Sequence, residues 1–266
     1  MTKAVVLARG LGTRMRAADP HAPGGAMPAA DAGVKAMIAV GRPFLDYLLG
    51  ALADAGFREI CLVIGPEHDI IRDHVRALDP RRVAVSFAVQ EQAIGTADAL
   101  LAARAFAGDT SVLVVNADNY YPVEVLTAMR TLGEPGLPAF GRAALLRDSN
   151  LTPERIRAFA WLDIDRDGYL TRIVEKPGDA LPAPDAGDVS VSMNCWRFDA
   201  GIFRACRDVP KSARGEFELP EAVQYGIGSL GLRFRAVPFH VGVLDLSSRG
   251  DIAEVARRLA AVQVDL

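Results

Sequence analysis

The chain is expected to fold as a single α/β unit whose sheet is mostly parallel and flanked by helices in its N-terminal half, then antiparallel in its C-terminal half. Three observations predict this. Short apolar runs alternate with segments of helical spacing from Ala4 to Val115, the pattern of strands joined by helical crossovers. Later strands come as close neighbours around turn residues such as Asp167–Gly168. The 266 residues, half of them hydrophobic, suffice for one large core.

Ala4 to Leu7 read as a short buried strand that breaks at Ala8–Arg9–Gly10–Leu11–Gly12–Thr13–Arg14. The two glycines permit backbone shapes that a side chain forbids and can turn N–H groups outward, while Arg14 adds a planar, permanent charge. Such a turn suits a phosphate. It is not a dinucleotide fingerprint, because Met15 stands where the third glycine belongs and the next strand ends in Gly65 rather than an acidic residue. Nor is it a P-loop, since no lysine follows Gly12.

Residues 17–34 mix Pro, Gly and Ala without a period and read as a loop, with His21 a solvated member, placed to cover a ligand between Arg14 and Lys35. Phe44, Leu45, Leu48, Leu49 and Leu52 give a helix ending at Gly56, and Glu59–Ile64 a buried strand. His68–Leu78 predict a helix, Val83–Val89 a strand, Thr96–Phe106 a helix and Ser111–Val115 a fourth strand. Parallel sheets of this kind gather ligands at the carboxyl ends of their strands, here Arg9, Gly65, Gln90 and Asn116.

Two of those ends carry polar residues suited to a nucleotide. Gln90 offers a donor and an acceptor together ahead of Gly95–Thr96, although taken alone this is equally a strand end with Thr96 capping a helix. Asp118, after Asn116, would need a cation beside a triphosphate, and Mg²⁺ accepts such oxygen ligands; an Asx turn is the alternative.

In the second half Arg157–Ile164 and Tyr169–Val174 predict a hairpin. Asp163–Gly168 imitates an EF-hand opening, but the bidentate glutamate would fall at Val174, which excludes calcium on that pattern. Residues 178–188 are a second Pro/Gly/Asp loop. Val189–Phe198 read as a strand carrying Trp196, a candidate for ring stacking or for the core. Val241–Leu246 are a further strand. Asp251 caps a closing helix with Ile252, Val255, Ala256, Leu259 and Val262 on one face, which should pack on the sheet.

The net charge of −3, with both signs mixed along the chain, argues against a nucleic-acid binder. Cys61, Cys195 and Cys206 lack metal or disulfide spacing and suit a reducing compartment. There is no apolar run of membrane-spanning length and no signal-peptide pattern, so a cytoplasmic protein without a membrane partner is expected.

Leu7–Met15, followed by Val34–Lys35–Ala36–Met37, resembles the signature of the sugar-phosphate nucleotidylyltransferases, L-A-(A/G)-G-x-G-T-R-(M/L) with a downstream K-P-(M/L). Arg9 replaces a small residue and Ala36 a proline. Gln90–Ala97 resembles the family's Q-x-x-x-x-G-T-(A/G), Val114–Asp118 its aspartate-bearing strand, Glu175–Lys176–Pro177 its V-E-K-P, and Glu216–Ala222 its G-E-(Y/F)-x-L helix.

The resemblance implies a Rossmann-like mixed sheet, the nucleotide-diphospho-sugar transferase fold. It implies a nucleotide-binding half at 1–120 and a sugar-phosphate-binding half at 121–266, and the lack of hexapeptide repeats leads us to expect no C-terminal β-helix. Leu7, Ala8, Gly10, Gly12, Thr13, Gln90, Gly95 and Thr96 would bind a nucleoside triphosphate, and Glu175 and Asn194 the sugar of a sugar 1-phosphate. Arg14, Lys35 and Lys176 would be catalytic, and Asp118 and Asp245 would hold Mg²⁺. UTP or dTTP is the favoured nucleotide, with GTP and mannose 1-phosphate, CTP and phosphocholine, or a non-catalytic binding regulator as alternatives. A homo-oligomer is consistent with the resemblance. Arg9 would either obstruct the phosphate turn or add a contact to it.

Overall fold

In the computed structural model, which describes residues 1–17, 28–174 and 189–266, the first strand β1 (Lys3–Leu7) leads into a one-turn helix α1 (Thr13–Arg16). The expected loop at 17–34 falls largely outside the described residues; what is described of it ends in α2 (Pro28–Asp31), before a 3-10 turn at Lys35–Met37. Then α3 (Phe44–Asp54), β2 (Glu59–Ile64), α4 (Asp69–Leu78) and β3 (Ala84–Val89) follow in the anticipated alternation. The expected helix after β3 breaks at Ala103 into α5 (Thr96–Ala102) and α6 (Arg104–Ala107), before β4 (Val112–Asn116) and the short β5 (Asn119–Tyr120).

The second half runs α7 (Val123–Thr131), β6 (Gly136–Gly141), α8 (Arg142–Asp148), α9 (Pro153–Ile156), β7 (Trp161–Ile164) and β8 (Leu170–Val174). After the second stretch outside the described residues come β9 (Ser190–Val191), β10 (Cys195–Phe198), α10 (Gly201–Asp208), α11 (Leu219–Leu230), β11 (Arg235–Phe239), β12 (Leu244–Asp245) and α12 (Asp251–Leu259). The sheet order is β3-β2-β1-β4-β10-β6-β9-β7-β8, with β11 on β6, while β5 and β12 pair separately.

β1 to β4 are mutually parallel and β10 joins β4 antiparallel, so the expected change of character falls at that seam. Alternation along β1 builds both layers. Ala4 and Val6 join Leu48, Leu52 and Leu126 on one face, whereas Val5 and Leu7 join Leu100, Phe203 and Val223 on the other. A third cluster of Met15, Phe44, Leu244, Ile252, Val255 and Leu259 receives the apolar face of α12. That helix therefore packs beside α1 and α3 at the rim rather than flat on the sheet.

Three expected strands are shorter than foreseen. Residues 157–160 form the turn that closes α9 instead, Ala158 and Phe159 donating their N–H groups to the carbonyls of Arg155 and Ile156. That helix is started by Thr152, which accepts the Arg155 N–H at 3.3 Å, and by Pro153 at its first position. The run 189–198 divides into β9 and β10 at Asn194, whose left-handed φ of 55° asparagine tolerates better than most residues. Of 241–246 only Leu244–Asp245 pairs as a strand. The hairpin stands as anticipated, with Gly168 at φ 80° and the Asp165 carboxylate accepting the N–H groups of Asp167 and Tyr169.

Among the described residues no helix is long and apolar enough to cross a membrane, and the three cysteines are free and buried.

Candidate active site

The chain passes from β1 outward to β2 and β3, then returns to place β4 on β1's other side. The chain therefore leaves the paired carboxyl ends of β1 and β4 in opposite directions, which is where an open α/β sheet offers a crevice. A cavity of about 390 Å³ lies there. It is lined by Leu7 to Arg14, by Lys35, by Gln90, Gly95 and Thr96, and by Asn116 to Asp118.

The glycine turn is held by backbone contacts. Ala8 donates its N–H to the Val63 carbonyl at 2.8 Å, Ala117 donates to that of Leu7 at 3.0 Å, and buried Met15 anchors α1. Gly12 has a φ of 59°, and a Cβ there would run into the Gly33 carbonyl. A Cβ on Gly10 would meet nothing, so that backbone is open to an approaching group. Arg14 is exposed at the mouth.

Lys35 Nζ lies 2.8 Å from Asp118 Oδ2, both partly buried. Burial pulls the Lys35 pKa down, but Asp118 and then Asp245 together more than offset this, and the ammonium ends above its ordinary range. A fixed positive charge thus stands over the phosphate turn. Arg9 neither obstructs that turn nor stays free: its guanidinium bonds the Gln90 carbonyl and reaches Glu67 at 3.4 Å, bracing the ends of β1 and β3.

On the far wall, Thr96 does not cap its own helix. Gly95 takes the cap position, and the Thr96 hydroxyl oxygen instead accepts the Leu219 N–H at 2.8 Å, capping α11. Phe217 donates its N–H to Ile94 and accepts that of Ala97, both at 2.8 Å, so the Gly95–Thr96 turn is tied to the segment before α11. Arg214, Glu216 and Glu218 of that segment also line the cavity. Arg214 pairs with Glu218 at 2.6 Å. The sequence reading did not single out Arg214, although its four-residue spacing to Glu218, next to a segment already marked, was a usable signal.

Asp245 is brought near Asp118 but not into the cavity lining. Leu246 donates its N–H to the Asp118 carbonyl at 2.8 Å, and Asn119 Nδ2 donates to Asp245 Oδ2 at 3.0 Å. Arg155 bonds Asp245 and Asp251 together. Burial, then the Asp118 charge, push the Asp245 pKa up, against Arg155 and Lys35. Among the described residues no group of three or more metal-ligating side chains occurs. Two neighbouring carboxylates, one facing the cavity, still fit Mg²⁺, which uses one or two carboxylates and takes its other ligands from water and phosphate.

Asn194 does not line the cavity. Cys195 pairs with Val115, which sets Asn194 at the same sheet edge as Asn116, and its carbonyl accepts the buried Tyr121 hydroxyl at 3.2 Å. Trp196 is fully buried and stacked on Phe198 at 5.7 Å, so it belongs to the core. Glu175 and Lys176 lie outside the described residues.

The family model described as nucleotidyl transferase matches residues 3–234. The chain belongs to that family. It is 28% identical over 256 residues to the glucose-1-phosphate thymidylyltransferase of Streptomyces antibioticus, covering 96% of this chain but 65% of that protein. It is 29% identical to the UTP–glucose-1-phosphate uridylyltransferase AglF of Haloferax volcanii, covering 97% of this chain and 96% of the other. It is 30% identical to the bifunctional protein GlmU of Pelotomaculum thermopropionicum, covering 96% of this chain and 51% of that one. The chain thus spans about half to two thirds of several relatives and nearly all of another. A solved UDP-glucose pyrophosphorylase complexed with UDP-glucose shares the fold, with a TM-score of 0.73, 18% identity and coverage of 99% of this chain and all of the other. The glycine turn and every cavity-lining residue named above fall within the matched residues.

Proposed function

We propose that this chain transfers a nucleotidyl group from a nucleoside triphosphate, UTP or dTTP for preference, to a sugar 1-phosphate. An oxygen of the sugar phosphate attacks the α-phosphorus; the bond from that phosphorus to the bridging oxygen breaks, and pyrophosphate leaves with the electron pair. The observation that carries this reading is the convergence of the open glycine turn, Arg14, Lys35 and Asp118 on one cavity with Gln90 and the Gly95–Thr96 turn opposite.

The nucleophile is already an anion, so no general base is needed, and positioning with charge neutralisation suffices. Lys35 neutralises charge at the α-phosphate and Arg14 holds the departing pyrophosphate, each charge-assisted contact worth about 1.5–3 kcal/mol. The motif around Lys176 and Glu175 supports their assignment to the sugar phosphate and the sugar, and the resemblance assigns Asn194 to the sugar as well. Mg²⁺ on Asp118, with Asp245 behind it, would supply further positive charge to the triphosphate. The buried free thiols accord with a cytoplasmic setting.

The test is pyrophosphate release with Mg²⁺, screening UTP, dTTP, GTP, CTP and ATP against glucose, N-acetylglucosamine and mannose 1-phosphates. Release with one pair, abolished in Asp118→Ala, is the expected result. Silence across the grid, with no nucleotide bound, would sink the reading and leave a non-catalytic family member.

A further inference from the structure

Gln90 is almost wholly buried at the end of β3, yet it lines the cavity. Its amide nitrogen donates twice, to the Gly95 carbonyl at 3.0 Å and to Asp98 Oδ2 at 2.8 Å. A primary amide has two N–H donors and one oxygen acceptor. With both donors spent on these partners, the side chain offers the cavity its oxygen, which accepts no bond from the described residues.

This orientation is enforced by chemistry as well as by packing. A carbonyl and an ionised carboxylate are acceptors only. Were the amide turned over, its oxygen would face both of them with no proton between, leaving buried groups unsatisfied beside a negative charge. Asp98, half-buried in the first turn of α5, sits eight residues after Gln90 and points at it across the Gly95 turn.

We propose that Asp98 is a positioning residue. It locks Gln90 with its oxygen toward the nucleotide and so makes the site select a base whose ring nitrogen carries a proton beside a carbonyl, as in the uracil or thymine imide and the guanine lactam. Cytosine and adenine present a lone pair at that ring nitrogen, and against a fixed amide oxygen neither group finds a partner. This rests on the function proposed above, with Gln90 at the base. It goes beyond that function in naming the residue that sets the polarity of the Gln90 amide. The discriminating pair is UTP and CTP, which match in size and differ at this edge.

The experiment compares kcat and KM for UTP and CTP in the wild type, Asp98→Ala and Asp98→Asn, with calorimetric binding of UDP and CDP and thermal melting beside them. A site built around such hydrogen bonds discriminates strongly, so the wild type should favour UTP by at least about a hundredfold. Asp98→Ala, which frees the amide to turn over, should cut that ratio at least about tenfold through KM while kcat moves less. Asp98→Asn, whose amide oxygen still accepts from Gln90, should recover most of the preference, which loss of helix stability alone would not predict. An unchanged ratio in a folded Asp98→Ala protein overturns the inference and leaves the function standing. A wild type that prefers CTP or ATP does the same. If no triphosphate is turned over and neither diphosphate binds, the function itself fails and the inference falls with it.

Discussion

At the scale of single residues, Lys35 carries the clearest burden. Its charge is held in place by Asp118 and kept above its ordinary pKa in spite of burial, so it stays protonated across the neutral range. On the proposed function, replacing Lys35 by alanine removes positive charge at the reacting phosphate, and it leaves Asp118 without its counter-charge. Turnover should fall at least about tenfold, the equivalent of one lost hydrogen bond to a charged group. Steady-state pyrophosphate release with circular dichroism checks this, and unchanged turnover in a folded variant would remove Lys35 from the mechanism. The placement of Lys35 and Arg14 at one cavity was legible in the sequence because a motif spacing carries them. Arg9 was not, since its bond to the Gln90 carbonyl depends on β3 lying beside β2, a tertiary fact.

At the scale of elements, two turns position the site, and each makes a prediction. Gly95 has a φ of 126°, and a Cβ there would overlap the Phe217 carbonyl, which accepts the Ala97 N–H. Gly95→Ala adds both backbone strain and this clash, and should cost about 1–3 kcal/mol or more in stability. It should also raise the nucleotide KM, a pairing measurable by denaturant melts and initial rates. In the turn from β2 to α4, the Gly65 N–H donates to His68 Nδ1 at 3.2 Å, which requires an unprotonated nitrogen. Burial holds the His68 pKa below its ordinary 6.5, with Glu67 opposing and Arg9 and Arg72 assisting. The unfolded chain then binds more protons than the folded one below pH 6.5, so this contribution is complete above that value and is lost as pH falls through the folded pKa. Wild-type melting temperature should therefore drop between pH 7 and pH 5 more than that of His68→Asn, whose amide oxygen can accept the same N–H without titrating. Parallel pH profiles would refute the assignment. Strands β1 to β4 were readable because continuous burial writes itself as apolar runs. The broken run at Asn194 was not, because its kink is set by tertiary contacts, including the Tyr121 hydroxyl bonding the carbonyls of Met193 and Asn194.

At the scale of the whole molecule, a charge network ties α9, β12 and α12 together next to Asp118. Arg155 of α9 bonds Asp245 of β12 and Asp251 of α12, while Asn150 donates to the Asp245 carbonyl at 2.8 Å and accepts its N–H at 2.9 Å. Asn119, next to Asp118, donates to the same Asp245 carboxylate. Removing Arg155 leaves two buried carboxylates, at 5% and 8% side-chain exposure, without their common cation and sets Asp245 against Asp118 unopposed by the guanidinium. Breaking a buried pair typically costs about 3–5 kcal/mol; since Arg155 keeps 25% of its side chain exposed, Arg155→Met should cost somewhat less, about 2–3 kcal/mol. The loss should be partly recovered in Arg155→Met combined with Asp245→Asn, because the unpaired charge is then gone. If Asp118 and Asp245 share a divalent cation, added Mg²⁺ should raise the melting temperature of Arg155→Met more than that of the wild type, and this gain should vanish when Asp118 is also replaced by asparagine. Equal Mg²⁺ shifts in the wild type and Arg155→Met would mean that the arginine serves structure alone, and that Asp245 takes no part in holding the ion.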